Sequence, residues 1–297
     1  MKGRHTQQRR VKSASVNSAW QRSTLGYKER FVDDFLYNNI RVRQFPCRTV
    51  FEKALHDAFG SSFVTEDHQA STYSYDDVVD DDNDRVPDTA FTVWDSSVLL
   101  GMYASRKDVW QRLIGARKLH SSRPIVTLEL GSGTGVASLL LATSEMAWES
   151  KCDFRVVMTD LPSAINFTRL NVHANIDKIP ANVQIVTQPL RWGRIEDINA
   201  LPQDVSRPDI IFGADLLYTC DESVICALAE TIISMSSIRV AVFAVCKQHR
   251  PESITYFLSL VKACFEVRNV PVSTAHIDLV SNDEDFGLIE LWRKKLR

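Results

Sequence analysis

The chain has 297 residues, of which 44% are hydrophobic and 24% charged, and its 35 basic and 37 acidic side chains leave a net charge of −2. This composition excludes wholesale disorder, because it supplies enough apolar side chains for a core, and it disfavours a uniformly basic nucleic-acid-binding protein. No run approaches the roughly 18 uncharged apolar residues that span a membrane, so we expect no membrane partner.

The charge is unevenly distributed along the chain. Residues 1–50 contain 11 Lys and Arg against 3 Asp and Glu, whereas the remaining residues contain 24 against 34. Residues 1–28 have no Asp or Glu and few large apolar side chains, so we expect a disordered basic arm, with a nuclear address, a nucleic-acid contact and mitochondrial import as alternatives. The arm lacks the apolar core of about 7–15 residues that a secretory signal needs.

Residues 29–90 are predicted to form an N-terminal extension to the main domain. Mixed apolar and polar runs within residues 31–65 are compatible with one or two strands and a helix near residues 51–59. The acidic run at residues 76–84 contains no glycine and lacks the ligand spacing of a calcium loop, so we interpret it as a solvated loop. The sequence leaves open whether the extension folds on its own, packs on the core or recruits a partner.

The six cysteines do not point to a metal site. None forms a Cys-x-x-Cys pair, and no histidine cluster completes a set of zinc ligands. Several lie in apolar stretches, which favours reduced thiols and hence a cytoplasmic protein, with the nucleus as a second location.

From residue 125 onward, short β-branched runs alternate with helical stretches. Strands are predicted over residues 125–130, 154–159, 183–186, 209–214, 240–245 and 288–292, and helices over residues 136–148, 165–174, 223–234 and 253–265. Continuous apolar strands that alternate with helices indicate an α/β fold, in which a parallel sheet is covered by helices on both faces. Ligands of such sheets bind where the strands end, and the notable polar residues of this chain lie at those ends.

A glycine-rich loop follows the first of these strands, with Gly131, Gly133 and Gly135 at alternate positions. A dinucleotide site would place its third glycine one residue later, where this chain has Val136, so the spacing disfavours a dehydrogenase. The preceding Glu129 would repel a phosphate at this loop but would attract a positively charged ligand. S-adenosylmethionine carries both an ammonium and a sulfonium, and we therefore predict it as the cofactor.

Asp160 ends the second predicted strand, 25 residues after Gly135. A carboxylate at this position can accept hydrogen bonds from both ribose hydroxyls of a nucleotide, as acidic residues do in nucleotide-binding βαβ units. The alternative is that Asp160 caps the helix that begins after Pro162. Ribose binding is the interpretation that fits the glycine loop and the acidic residue before it.

These motifs, in this order, resemble those of a known enzyme family. The glycine loop, Asp160, residues 190–193 (Leu-Arg-Trp-Gly) and residues 213–218 (Gly-Ala-Asp-Leu-Leu-Tyr) resemble the seven-β-strand protein-lysine methyltransferases that carry an Asp-x-x-Tyr motif. Residues 93–99 resemble the Val-Trp-Asp segment of the methyltransferase-like 21 branch of methyltransferase superfamily 16.

The resemblance covers about residues 91–293 and implies a Rossmann-like fold with a seven-stranded, mostly parallel sheet, carried by a methyltransferase domain over residues 91–297. Asp215 and Tyr218 would be the catalytic residues, facing the methyl group and the incoming nucleophile. The predicted cofactor-binding residues are Trp94, Glu129, Gly131, Ser132, Gly133, Gly135, Asp160, Trp192 and Ala214. The alternatives are that the two tryptophans are ordinary core aromatics and that the tyrosine packs at a helix start.

The implied function is S-adenosylmethionine-dependent transfer of a methyl group to a lysine of another protein by a monomeric enzyme. A different acceptor (protein histidine or arginine, or a small-molecule amine or pyridine) and a catalytically quiet binding module are alternatives. A nucleic-acid methyltransferase is disfavoured, because no Asn-Pro-Pro-Tyr-like segment follows the fourth strand. Residues 247–250 are expected on the substrate rim, where His249 is either a general base or a surface histidine.

Overall fold

In a computed structural model of the protein, the described residues are 34–37, 40–45, 48–59, 88–115, 123–150, 152–203, 205, 208–235, 240–247, 250–272 and 286–295. The predicted basic arm and acidic run lie outside these ranges, as does His249. The strands are β1 (Phe35–Tyr37), β2 (Ile40–Val42), β3 (Ile125–Leu130), β4 (Phe154–Asp160), β5 (Val183–Pro189), β6 (Ile210–Ala214), β7 (Val240–Cys246), β8 (Phe265–Val270) and β9 (Phe286–Arg293). The α-helices are α1 (Arg48–Phe59), α2 (Asp95–Ala104), α3 (Lys107–Ile114), α4 (Val136–Ala142), α5 (Glu145–Glu149), α6 (Ile165–His173), α7 (Ile195–Ala200), α8 (Glu222–Ser234) and α9 (Pro251–Val261).

Strands β3 to β9 form one seven-stranded sheet, in the order β5-β4-β3-β6-β7-β9-β8. β3 to β7 pair in parallel, whereas β9 lies antiparallel between β7 and β8. The central strand β3 has β4 on one side and β6 on the other, so the strand order reverses there and leaves a crevice at the carboxyl ends. The Rossmann-like, mostly parallel sheet predicted from the sequence is confirmed.

Helices cover both faces of this sheet. On one face, α2 to α5 contribute to an apolar cluster in which Tyr103 and Trp110 are fully buried. On the other face, α7, α8 and α9 contribute Ile198, Leu228 and Phe257 to a second cluster. Because each face is apolar and covered, the polar ends of the strands are where a ligand can reach the sheet. None of the described helices has both the length and the hydropathy of a membrane span.

The list of predicted helices lacks α2, α3 and α7, and the structure differs from the predicted elements in two further places. β8 is absent from the prediction because its sequence is half polar and the predicted helix over residues 253–265 runs into it. β8 is an edge strand, and edge strands expose one row of side chains, here Glu266 and Arg268. The predicted helix over residues 136–148 is divided into α4 and α5 by Ser144, whose hydroxyl accepts a backbone N–H at 3.2 Å and so caps α5.

The N-terminal extension packs against the same core. Ile40 and Val42 of β2 are 1% and 0% exposed and belong to the apolar cluster that α2 to α5 cover. Phe45 packs edge-on against Phe167 of α6, with the ring centroids 5.3 Å apart. Residues 40–45 are therefore part of the folded body, which is one of the possibilities that the sequence left open. The boundary proposed between extension and main domain stays a prediction.

The close packing of α2 against α4 predicts an unusual response at Gly101. In an exposed helix, Gly→Ala stabilises by about 1 kcal/mol. A Cβ on Gly101 would lie 2.7 Å from Leu140 Cδ1 and 3.1 Å from the Cα of Ala137. We therefore expect Gly101→Ala to lower the free energy of unfolding by about 1–3 kcal/mol, as measured by urea denaturation. Ala58→Gly, on the exposed side of α1, gives the scale of propensity alone, a loss of about 1 kcal/mol. A gain of stability in Gly101→Ala would contradict the close contact.

Candidate active site

A cavity of about 510 Å³ opens at the carboxyl ends of the central strands. Its volume lies within the range of small-molecule sites, about 300–1,000 Å³. Its lining residues come from six segments of the chain, within residues 89–97, 129–134, 160–161, 190–194, 214–218 and 223–227. Ten of the eleven predicted site residues are among them, so the fold brings together what the sequence spreads over more than a hundred positions.

The glycine loop forms the floor of the cavity and requires glycine for two reasons. Gly131 and Gly133 have φ of +61° and +49°, in the left-handed region that side chains with a Cβ rarely adopt. A Cβ on Gly131 would also lie 2.6 Å from Cδ2 of Leu216 and 3.3 Å from the Trp192 ring. Ser132 lies between the two glycines and its N–H donates to the carbonyl of Thr159 at 2.9 Å. The loop therefore presents backbone, and no bulky side chain, to the cavity.

Gly135 is the predicted site residue that does not line the cavity. It lies at the N-terminus of α4 with φ of +79°, and a Cβ there would lie 2.4 Å from Cε of Met158. Its position allows α4 to pack closely on the sheet, so the structure gives Gly135 a packing role where the resemblance implied a cofactor contact. The alternating spacing of the three glycines does not separate these two roles.

Glu129 is a buried carboxylate at the end of β3, in register with Met158 and Phe212 on the two neighbouring strands. Its side chain lines the cavity and accepts a hydrogen bond from the Ser138 hydroxyl. Burial raises the pKa of Glu129 to about 7, the Ser138 bond opposes this rise, and the nearby charge of Asp160 adds to it. A positively charged ligand in the cavity would favour the ionised form.

Asp160 ends β4 with both carboxylate oxygens held by backbone donors. Oδ2 accepts the Gly133 N–H at 2.6 Å and Oδ1 accepts the Leu161 N–H at 2.8 Å. Burial raises the pKa of Asp160, and these two hydrogen bonds oppose the rise. Each oxygen has a second lone pair for a ribose hydroxyl. Helix α6 begins after Ala164 without a side-chain cap, so Asp160 does not serve as the cap of that helix.

Two tryptophans line the cavity together with the glycine loop. Trp94 precedes α2, and its indole N–H donates to the carbonyl of Thr89 at 2.8 Å. Trp192 is partly buried against the second apolar cluster and approaches Gly131. Both rings are half-buried and line the cavity. They are therefore placed where an aromatic face can contact a purine, in addition to any role in core packing.

Asp215 and Tyr218 lie at the mouth of the cavity, directly after Ala214 at the end of β6. Asp215 has a left-handed backbone, with φ of +56°, and its Oδ1 accepts the Cys246 N–H of β7 at 3.1 Å. Tyr218 is 44% exposed and hydrogen-bonds with the Thr89 side chain. Burial of part of its ring raises the pKa of Tyr218, so its hydroxyl stays protonated at neutral pH.

One wall of the cavity was absent from the sequence prediction. The 3-10 helix Asp88–Phe91 and the residues after it contribute Thr89, Ala90 and Thr92. These are small residues without a motif of their own, so no local pattern signals them. Arg191, for which no role was predicted, also lines the cavity, and its guanidinium forms an ion pair with Asp197 of α7 at 2.9 Å.

The fold and the site define a class of enzyme. A parallel sheet with this strand order, a glycine loop after its central strand, and acidic residues at the ends of β3 and β4 are the features of an S-adenosylmethionine-dependent methyltransferase. The donor set fits that cofactor, because buried carboxylates suit an ammonium and a ribose, and the aromatic rings suit an adenine.

Comparison with known proteins gives the family. A sequence profile described as lysine methyltransferase matches residues 76–263. A protein N-lysine methyltransferase, METTL21A, from Xenopus tropicalis is 28% identical over 181 residues, which are 61% of this chain and 71% of the relative. EEF1A lysine methyltransferase 3 from Mus musculus is 26% identical over 211 residues, covering 70% of this chain and 73% of the relative.

A putative class I S-adenosylmethionine-dependent methyltransferase from Listeria monocytogenes, a solved structure, has a TM-score of 0.44 and 10% identity, over 71% of this chain and 63% of that one. The family profile spans more than half of the chain, and the chain therefore belongs to the lysine methyltransferase family. It is an S-adenosylmethionine-dependent enzyme that methylates lysine in a protein substrate.

Replacing the buried carboxylate of Glu129 should raise the stability of the protein and weaken its binding of the cofactor. Because burial holds the pKa of Glu129 at about 7 in the folded protein, above its ordinary 4.5, the wild type loses stability as pH rises from 4.5 to 7. We expect Glu129→Gln to be more stable than the wild type above pH 7 by up to roughly 3 kcal/mol, with no gain near pH 4.5. Urea denaturation across this pH range measures the gain, and calorimetry with S-adenosylmethionine should show about tenfold weaker binding.

Glu149→Gln, at an exposed position of α5, is the matched control. It removes the same charge where burial is absent, so it should change neither the pH dependence of stability nor the affinity for the cofactor. An equal gain of stability in both variants would contradict the raised pKa of Glu129, and an unchanged affinity in Glu129→Gln would show that its carboxylate does not contact the cofactor.

Proposed function

We propose that Asp215 and Tyr218 form the reaction centre, at which a lysine side chain of the substrate protein meets the methyl donor. The observation that carries this proposal is their placement: both lie at the mouth of a cavity whose floor is the glycine loop.

Within this proposal the cavity holds the cofactor by its three chemical parts. Glu129 would bind the ammonium, Asp160 would accept the ribose hydroxyls, and Trp192 would contact the adenine. The backbone of residues 131–133 would follow the methionine part, with Ala214 and Trp94 closing the site. When bound, S-adenosylmethionine supplies a methyl carbon made electrophilic by the sulfonium.

The chain's own task is then to present a neutral amine in line with that carbon. A lysine has an unperturbed pKa near 10.4, so at neutral pH it arrives as an ammonium. The Asp215 carboxylate can accept a hydrogen bond from the ammonium and orient it while its proton passes to solvent at the open mouth. Alignment of nitrogen and carbon can lower the barrier by several kcal/mol, on the order of 7 or more in favourable cases.

The two residues are held for this task by different means. The hydrogen bond from the Cys246 N–H fixes the direction of the Asp215 carboxylate. Tyr218 stays neutral and is tied to Thr89 across the mouth, so its ring limits the bulk that can enter. A ring face beside a cationic amine is also electrostatically favourable.

We also propose that the enzyme acts as a monomer in the cytoplasm, with the nucleus as a second location. The described cysteines Cys220, Cys226 and Cys264 are free thiols, which supports a reducing compartment. The name of one relative, EEF1A lysine methyltransferase 3, makes EEF1A the first substrate candidate to test.

The direct test incubates purified enzyme and radiolabelled S-adenosylmethionine with a lysate from cells that lack their own copy. We expect one or a few labelled proteins, with the label recovered as methyl-lysine after hydrolysis. Methyl-histidine or methyl-arginine would move the acceptor and keep the cofactor site. Label in the small-molecule fraction would favour a different substrate class, and cofactor binding without any transfer would favour a quiet binding module.

Asp215→Asn is the sharpest single change at the reaction centre. Asn tolerates the left-handed backbone and keeps an acceptor for the Cys246 N–H, so only the charge is lost. We expect kcat to fall at least about 100-fold, because the ammonium is no longer oriented, while the affinity for the cofactor stays within about threefold. Single-turnover kinetics and calorimetry measure the two quantities.

Asp221→Asn is the control for that variant. Asp221 is exposed and its carboxylate caps α8 by accepting the Ser223 N–H at 2.8 Å, a role that Asn performs equally well. Its kcat should therefore remain near that of the wild type. Parallel loss of cofactor affinity and folded structure in Asp215→Asn would remove Asp215 from the reaction centre.

A further inference from the structure

Two buried asparagines, Asn171 in α6 and Asn175 just after it, hold the backbone of the N-terminal extension in the way that a neighbouring strand would. Asn175 accepts the Arg41 N–H at 2.9 Å and donates to the Arg41 carbonyl at 2.8 Å. Asn171 accepts the Arg43 N–H at 2.8 Å. The side-chain amide of Asn171 also donates to the carbonyl of Thr134 at 3.0 Å. The two asparagines therefore connect the extension to the end of α6, and Asn171 connects it to the glycine loop as well.

The next residue of the extension, Gln44, bonds to the two residues that precede Trp94. Its Oε1 accepts two hydrogen bonds, from the Thr92 hydroxyl at 2.7 Å and from the Val93 N–H at 2.8 Å. Gln44 is 7% exposed and Thr92 is 1% exposed, so these bonds are made out of contact with water. The neighbouring Phe45 N–H donates to the carbonyl of Phe91 at 3.1 Å. Gln44 and Phe45 thus hold residues 91–93, at the end of the 3-10 helix and just after it.

These residues belong to the cavity wall over residues 89–94, of which the sequence predicted only Trp94. Thr89, Ala90, Thr92 and Trp94 all line the cavity. The carbonyl oxygen of Ala90 would lie 3.6 Å from a Cβ placed on Gly133, so the wall stands directly against the floor. A small displacement of the wall would open this contact and change the width of the site.

We infer that Gln44 is a positioning residue for cofactor binding: by accepting two hydrogen bonds from the wall, it holds residues 89–94 against the glycine loop. This inference rests on the cofactor site proposed above and assigns Gln44 no contact with the cofactor or the substrate. The N-terminal extension is then part of the machinery of the site, although most of the cavity is built some 50 or more residues further along the chain.

The chemistry of the two donors favours this role over that of an ordinary core contact. Thr92 and Val93 are consecutive, and both donate to the same oxygen atom immediately before Trp94. A buried N–H and a buried hydroxyl that lose their acceptor must find water or another partner. A new partner for the Thr92 hydroxyl or the Val93 N–H would displace these two residues. The rest of the wall would move with them, because the Trp94 indole is bonded to the carbonyl of Thr89 within the same segment.

The test compares two variants of the full chain. Gln44→Met keeps the length of the side chain and removes the acceptor, whereas Gln44→Glu keeps an oxygen acceptor at the same place. Calorimetry with S-adenosylmethionine should show about tenfold weaker binding for Gln44→Met and a return to within about threefold of the wild type for Gln44→Glu. In the cofactor-free protein, amide hydrogen exchange should accelerate at residues 89–94 in Gln44→Met. It should stay unchanged in the sheet strands β3, β4, β5, β7 and β8.

Arg112→Met controls for a general loss of stability. Arg112 pairs with the buried Glu290 at 2.6 Å, and neither residue lines the cavity. This variant should lower the melting temperature at least as much as Gln44→Met and leave the affinity for the cofactor within about twofold. If Gln44→Met does not fold, Thr92→Val removes one of the two hydrogen bonds and should weaken binding by about threefold.

Several results would overturn the inference. They are unchanged cofactor affinity in the folded Gln44→Met protein, equal weakening in Arg112→Met, acceleration of exchange throughout the sheet, or a wild type that binds no S-adenosylmethionine. A wild type that binds the cofactor but labels no lysine would count against the proposed reaction centre alone, and the affinity comparison would still decide the role of Gln44.

Discussion

The hydrogen bond from the Gly133 N–H to the Asp160 carboxylate joins the ends of two central strands and sets the shape of the cavity floor. The carbonyl of the same glycine accepts the Thr168 hydroxyl of α6 at 2.7 Å. The N–H and the carbonyl of Gly133, which has a left-handed backbone, are thus both bonded to residues outside the loop. The wall over residues 89–94 and the side chain of Leu216 then pack against a floor that cannot move by itself.

This floor carries an electrostatic cost. Glu129 and Asp160 lie close enough that the charge of one raises the pKa of the other, and burial raises both. Carboxylates in such a setting are poorly solvated until a ligand with positive charge or hydroxyl groups replaces the missing water. The apolar strands β3 and β7, buried along their whole length, stabilise the sheet that holds these groups in place.

At the mouth, three segments that are distant in the chain meet. Asp215 takes a left-handed backbone and is held by Cys246 of the next strand. Tyr218 is linked to Thr89, which also accepts the indole N–H of Trp94. The residues proposed to meet the substrate and those proposed to enclose the cofactor therefore share one wall, and a change in that wall acts on both.

Local sequence was enough to predict the alternating strands, the loop at Gly131 and Gly133, and the carboxylates at strand ends, because β-branched runs, glycine spacing and charge are properties of short segments. It did not separate the packing role of Gly135 from a binding role, since that depends on Met158 of another strand. The half-polar edge strand β8 was not predicted for a similar reason, because it is stabilised by pairing with β9 and not by a pattern in its own sequence. The bond from Gln44 to a wall 49 residues away exists because folding buries both ends together, and no local pattern encodes that meeting.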